Sequence, residues 1–290
     1  MFADCAAIHD LSCYAKSSLT VVSPILEAMG VEVCPIPTAL LSTQTDGFEG
    51  YLFEDLTSQM HQVIDHWQRL GLAFDAVYSG FLGSVSQVAL VESFISVQRN
   101  MGSPLVLIDP VLGDAGKTYG PMNTALIARM RSLVAHADVI TPNTTEAALL
   151  LGHDWQAVEH ASDVYGYARS LADLGPKRVV VTSVLLDSAP DKCSVAWYDR
   201  TSDDFGVFSH ARIDASYPGA GDLFASLLCG LLLWGRPFPC AVEQAALWVS
   251  LAIARTSALG YPYRHGVCPS SLIPTIAQCR LEDEKFKCGS

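Results

Sequence analysis

The run Ser216-Tyr217-Pro218-Gly219-Ala220-Gly221-Asp222-Leu223-Phe224-Ala225-Ser226 constrains this chain more than any other stretch. Two glycines one residue apart behind a proline do not form a helix interior, whereas the apolar residues from Leu223 to Leu233 suit a buried helix. The segment therefore reads as a tight turn opening a helix, with free backbone N–H groups at its mouth. Those donors and the positive end of the helix dipole form an anion site. Asp222 stands in its mouth, where an unpaired carboxylate takes a proton from an incoming hydroxyl. An anion hole beside a base suits phosphoryl transfer to an alcohol. Taken alone, the same residues also suit a plain turn, with Asp222 capping the helix.

Around this turn, strands alternate with helices. Strands are predicted over Ala3–His9, Val31–Pro35, Phe74–Tyr78, Leu105–Ile108, Val139–Ile140 and Arg178–Thr182, with a hairpin of Cys193–Asp199 and Phe205–His210. Helices are predicted over Ser18–Met29, Glu54–Leu70, Ser84–Met101, Ala125–Ala135, Thr144–Leu151, Asp163–Leu174, Leu223–Trp234, Cys240–Ser257 and Pro269–Cys279. Thr38–Glu49 and Val111–Pro121 read as loops. This rhythm implies an α/β fold, a mostly parallel central sheet with helices on both faces, in one domain over residues 1–290. Ligands of such folds lie beyond the carboxyl ends of the strands.

Composition narrows the partners. The 18 basic and 30 acidic residues give a net charge of −12, which argues against a nucleic-acid surface. The nine cysteines include no CxxC pair, so a zinc site is not expected. No basic-headed signal peptide and no bilayer-length apolar run is visible, and the expectation is a cytoplasmic protein without membrane partners.

Polar residues gather where strands end. Asp109 and Asp114 follow one strand, with Lys117 beyond them. Thr141, Asn143 and Glu146 follow the next, Thr182 and Ser183 another, and His9, Asp10 and Ser12 the first. The Asn143–Glu146 spacing fits a helix capping box as well as it fits a pair holding a hydrated magnesium ion. Lys117 between glycines suits nucleotide phosphates or plain solvation. His9 reads as a satisfied structural histidine. There is no Walker P-loop, and Phe224 stands where a dinucleotide fingerprint needs its third glycine.

These segments resemble the pyridoxal kinase group of the ribokinase superfamily over most of the chain, from about Ile8 to Thr256. They are His9-Asp10-Leu11-Ser12, Leu40-Leu41-Ser42-Thr43-Gln44-Thr45, Ser79-Gly80-Phe81-Leu82-Gly83-Ser84, Asp109-Pro110-Val111-Leu112-Gly113-Asp114, Gly116-Lys117-Thr118-Tyr119, Thr141-Pro142-Asn143 with Glu146-Ala147, and Gly219-Ala220-Gly221-Asp222. The last is shared across the superfamily, and the earlier ones point to the vitamin B6 branch. The resemblance implies a ribokinase-like three-layer sandwich that phosphorylates the 5′-hydroxymethyl group of a B6 vitamer with ATP. Asp222 would be the base, and Gly219, Ala220 and Gly221 would shape the anion hole. Asp10, Ser12, Thr45 and Phe81 would hold the pyridine ring. Asp109, Asp114, Lys117, Thr141, Thr182 and Ser183 would line ATP, and Asn143 and Glu146 would meet Mg2+ through water. The family also implies a homodimer and help from a monovalent cation such as K+. Ala15 departs from the family pattern, where a glycine is frequent. Two rival readings are a hydroxymethylpyrimidine kinase of thiamine synthesis and a non-catalytic vitamin-binding protein.

Overall fold

The computed structural model describes residues 3–155, 161–189 and 191–288. The first half of the chain contains β1 (Ala3–Ser12), α1 (Leu19–Ala28), β2 (Val31–Leu41), β3 (Phe53–Asp55), α2 (Thr57–Leu70), β4 (Ala76–Ser79), α3 (Val85–Met101) and β5 (Leu105–Ile108). A small hairpin of β6 (Gly113–Asp114) and β7 (Lys117–Thr118) leads to α4 (Thr124–Val134), β8 (Val139–Ile140), α5 (Thr144–Leu151) and α6 (Ala161–Asp173). The rest comprises β9 (Arg178–Val184), β10 (Lys192–Asp199), β11 (Asp204–Ala211), α7 (Ala220–Leu233), α8 (Phe238–Ala258) and α9 (Ile273–Cys288).

Nine strands form one sheet in the order β11-β10-β9-β8-β5-β4-β1-β2-β3. The six from β9 to β2 run parallel, and β3, β10 and β11 add antiparallel pairings at the two edges. Successive strand residues face opposite sides, so runs that are apolar throughout bury both faces. Ile8, Val77, Val106, Ile140 and Val179 pack with Phe94, Met130, Leu133 and Leu171 of the α2–α6 layer. Ala7, Tyr78, Leu107, Val139 and Val180 pack with Ile25, Leu26, Leu228 and Trp248 of the α1, α7 and α8 layer. The chain leaves β1 towards β2 on one side and returns to β4 on the other. That reversal opens a crevice at the carboxyl ends of β1 and β4.

The elements fall within a few residues of the sequence expectation, with four corrections. β2 runs on to Leu41 instead of stopping at Pro35. Only Ala39–Leu41 is paired by β3, so Pro35 and Pro37 lie along an open edge that tolerates a missing donor. Glu54 and Asp55 belong to β3 rather than to the next helix, and Asp55 Oδ1 accepts the Thr57 N–H at 2.8 Å where α2 begins. The expected loop Val111–Pro121 contains the β6–β7 hairpin, whose two turn residues, Ala115 (φ 48) and Gly116 (φ 76), take the left-handed conformations of a type I′ turn. Pro269–Cys279 is not one helix, since a 3-10 turn at Pro269–Ser271 precedes α9. Among the described residues, no helix is long and apolar enough to cross a membrane.

Candidate active site

At the end of β1, Asp10 is buried, and its carboxylate accepts hydrogen bonds from Ser12 Oγ at 3.1 Å and Ser18 Oγ at 2.5 Å. Burial pushes this carboxyl above its usual range, and the two hydroxyls oppose the shift. Ser18 caps α1 with unusual backbone angles (φ 47, ψ −129), and its N–H donates to Asp222 Oδ2 at 2.8 Å. One serine thus joins carboxylates from opposite ends of the chain. Ala15 of the same loop has φ 67, the left-handed region that a glycine adopts without strain.

Asp222 opens the second turn of this constellation. Gly219 has φ 80, and a Cβ there would lie 2.8 Å from the Lys16 carbonyl, so two constraints require glycine. The first rung of α7 joins Leu223 N–H to Gly219 O at 2.9 Å, leaving Gly221 and Asp222 N–H ahead of the helical ladder. The Ala220 N–H is turned back to the Tyr217 carbonyl at 3.3 Å. A side chain at Gly221 would meet only open space. Asp222 is enclosed on most sides yet still partly open to the crevice. Burial pushes its carboxyl up to about 8, the Asp109 and Asp10 charges add to the rise, and the Ser18 N–H opposes it. Tyr78 and Ser226 hydroxyls both donate to the Asp222 carbonyl, at 3.4 and 2.6 Å, and anchor the turn.

Across the crevice, Asp109 ends β5 and accepts the Thr141 hydroxyl at 3.0 Å. Burial pushes it up to about 7. Asn143 and Glu146 form a complete capping box: Asn143 Oδ1 accepts Glu146 N–H at 3.0 Å, and Glu146 Oε2 accepts Asn143 N–H at 2.9 Å. The other oxygen, Oε1, accepts Leu112 N–H at 3.0 Å, and Asn143 Nδ2 donates to Gly113 O at 2.8 Å. The cap reading of this spacing is therefore present in full. Glu146 lies well above the ordinary carboxylate range because it is buried and faces the Asp109 charge. Among the described residues, no three His, Cys, Asp or Glu side chains form a ready metal cluster. The crowded carboxylates Asp109, Glu146 and Asp222 are nonetheless hard oxygen donors short of positive charge, a set that fits a hydrated magnesium ion.

The remaining residues singled out in the sequence divide between the two walls. Gly116 N–H donates to Thr145 Oγ1 at 3.0 Å and ties the β6–β7 hairpin to α5, leaving Asp114 and Lys117 exposed. Thr182 bridges to Asn143, and Ser183 is exposed with φ 57. On the other wall, Thr45 is exposed, and Phe81 packs edge-on to Phe53 at 6.4 Å. His9 is not the satisfied histidine expected. It is fully buried against Tyr78, neither ring nitrogen has a partner among the described residues, and burial pushes it down to about 3, so it is a neutral ring.

Three residues escaped assignment from sequence. Ser18 looked like a helix start, and its link to Asp222 spans 204 positions. Tyr78 looked like strand core. Tyr119 lay inside a quoted motif without a role. Burial raises its phenol, and the Glu146, Asp114, Asp222 and Asp109 charges add to the rise.

Comparison with known proteins identifies the family of the chain. The family model described as phosphomethylpyrimidine kinase matches residues 25–268. A pyridoxine/pyridoxal/pyridoxamine kinase of Bordetella avium is 30% identical over 266 residues, covering 87% of this chain and 85% of the relative. A Bacteroides thetaiotaomicron protein described as a phosphomethylpyrimidine kinase and crystallised with pyridoxal superposes with a TM-score of 0.88 at 38% identity, covering 95% of this chain and 96% of that one. Pyridoxal kinase from Lactobacillus plantarum superposes with a TM-score of 0.88 at 32% identity, covering 97% and 98%.

Proposed function

The chain belongs to the phosphomethylpyrimidine kinase family, among its pyridoxal kinases, and on that premise we propose how its crevice transfers the γ-phosphoryl of ATP to the 5′-hydroxymethyl group of a B6 vitamer. The protein is a kinase of the ribokinase-like fold. One observation carries the assignment of roles: Asp222 sits at the mouth of α7, part open to the crevice, beside backbone donors that the helix does not use.

In this reading the acceptor ring lies on the β1 wall, held by Asp10, Ser12, Thr45 and Phe81. The triphosphate lies on the β5–β9 wall along Asp109, Asp114, Lys117, Thr141, Thr182 and Ser183. Asp222 accepts the hydroxyl proton as the new O–P bond forms and the bond to the β-phosphate oxygen breaks. Gly221 and Asp222 N–H groups stabilise the transferred group, and the open space at Gly221 leaves room for it. Asp109 would hold magnesium, with Asn143 and Glu146 acting through water. Bound there, the ion neutralises triphosphate charge. Positive charge also favours the ionised form of Asp222, which burial and the Asp109 and Asp10 charges disfavour. The same reading includes a homodimer in the cytoplasm and a monovalent cation beside the anion hole.

The test is phosphorylation of pyridoxal, pyridoxamine, pyridoxine and hydroxymethylpyrimidine with ATP and magnesium, with and without potassium. A pyridine vitamer is expected to turn over, and Asp222→Ala to lower kcat by roughly a thousandfold or more while ATP still binds. Near-normal turnover in that variant would remove Asp222 from its role. The family description favours one second reading, a pyrimidine kinase, which turnover of hydroxymethylpyrimidine alone would establish. Vitamin binding without turnover would point to a carrier.

A further inference from the structure

The segment from Tyr261 to Val267, after α8, takes no part in the chemistry above, yet it grips the acceptor wall at several places. Lys16 N–H donates to His265 O at 3.0 Å, and Val267 N–H donates to Pro218 O at 2.9 Å. Gly266 packs so closely on the Lys16 carbonyl that a Cβ there would collide with it. The segment also reaches the loop between β2 and β3. Gln44 is buried and donates through Nε2 to Arg264 O at 3.0 Å. The Tyr263 hydroxyl donates to Asp46 Oδ2, and the Arg264 guanidinium lies 5.2 Å from the centre of the Phe48 ring.

Thr45 lies between two residues, Gln44 and Asp46, that this segment holds from the side, while Thr45 itself stays exposed. The loop around it is polar and contains Gly47 and Gly50, both at positive φ. Without those ties, it would have to be ordered each time an acceptor bound, at a cost in affinity. We propose that Tyr261–Val267 is a strap and that Tyr263, acting through Asp46, is a positioning residue for Thr45 that sets affinity for the phosphoryl acceptor and not for the nucleotide. The proposal rests on the reading of Thr45 as an acceptor contact. The phenol stays a donor throughout the working pH range, because burial, the Asp46 hydrogen bond and the Asp46 and Asp114 charges push it up to about 12.

The experiment compares the parent chain with Tyr263→Phe, Thr45→Val, Asp46→Ala, Asp46→Asn and the double variant Tyr263→Phe/Thr45→Val. Separate KM values for pyridoxal and ATP are measured, together with pyridoxal binding by calorimetry. Tyr263→Phe and Asp46→Ala are expected to raise the pyridoxal KM and Kd about five- to tenfold, the worth of one hydrogen bond, with the ATP KM unchanged. Asp46→Asn still offers an amide oxygen to the phenol and is expected to restore near-parental values. The double variant should lose less than the product of its single losses. Pyridoxal KM and Kd within about twofold of the parent in Tyr263→Phe and Asp46→Ala, or an equal rise in their ATP KM, would overturn the strap. Pyridoxal binding without turnover in the parent would count against the kinase reading alone, because the Kd series still reads the strap. A parent that binds no pyridoxal would overturn both.

Discussion

Asp222 carries the sharpest tension at the scale of single residues, because the proposed base is also a carboxyl that the fold prefers protonated. Its pKa in the folded chain is pushed up to about 8, above the value of about 4 of an unfolded aspartate. The sign follows directly. Below pH 4 both states hold the proton, and the residue contributes nothing. Between pH 4 and 8 the unfolded chain loses it first, so stability falls as pH rises, and the penalty is complete above about 8. Asp222→Asn removes that penalty. Without ligands, its melting temperature is expected to match the parent at pH 4 and to exceed it by several degrees or more at pH 8. A gap independent of pH would show that the carboxyl is not held protonated. For turnover the same shift means that kcat/KM rises with pH through the working range until the base is ionised. Ser18 and Ala15 show the same scale from the backbone side. Both accept left-handed φ angles so that one N–H can reach Asp222 and the loop can close over Asp10.

At the scale of elements, helix termini do the positioning. α7 begins with a glycine that must be glycine, and its first turn is anchored by Tyr78 and Ser226. α5 begins with a capping box whose glutamate also holds the Leu112 N–H, fixing the start of the β6–β7 hairpin to the helix. Asn143→Ala removes the cap and the bond to Gly113 together. It is expected to cost about 1–2 kcal/mol of stability, measured by urea unfolding, and to raise the ATP KM more than the acceptor KM. An unchanged ATP KM would reduce the box to a stability device. The capping spacing was plain in the sequence. The hairpin was not, because strands of two residues have no periodicity to detect, and its turn needs Ala115 in a conformation that alanine seldom adopts.

At the scale of the whole molecule, one nine-stranded sheet separates two apolar layers, and every parallel strand contributes to both. Neither layer keeps its core without the sheet, so residues 1–290 are expected to unfold as one cooperative unit. Tryptophan fluorescence and far-ultraviolet circular dichroism should give coincident urea transitions, and two separated midpoints would divide the chain into domains. The sequence by itself determined the alternation of strands and helices, the glycine turn that opens a helix, the capping spacing and the family resemblance, because these rest on local patterns: apolar period, glycine and proline placement, and short spacings. Only the tertiary structure decided that Ser18 links Asp10 to Asp222, that Tyr78 donates to the Asp222 backbone carbonyl, that His9 has no partner among the described residues, and that a strap near the C-terminus holds the loop of Thr45. Those contacts join residues far apart in the chain. Their energies come from burial and from charges brought together by the crossing at β1 and β4, which no local pattern records.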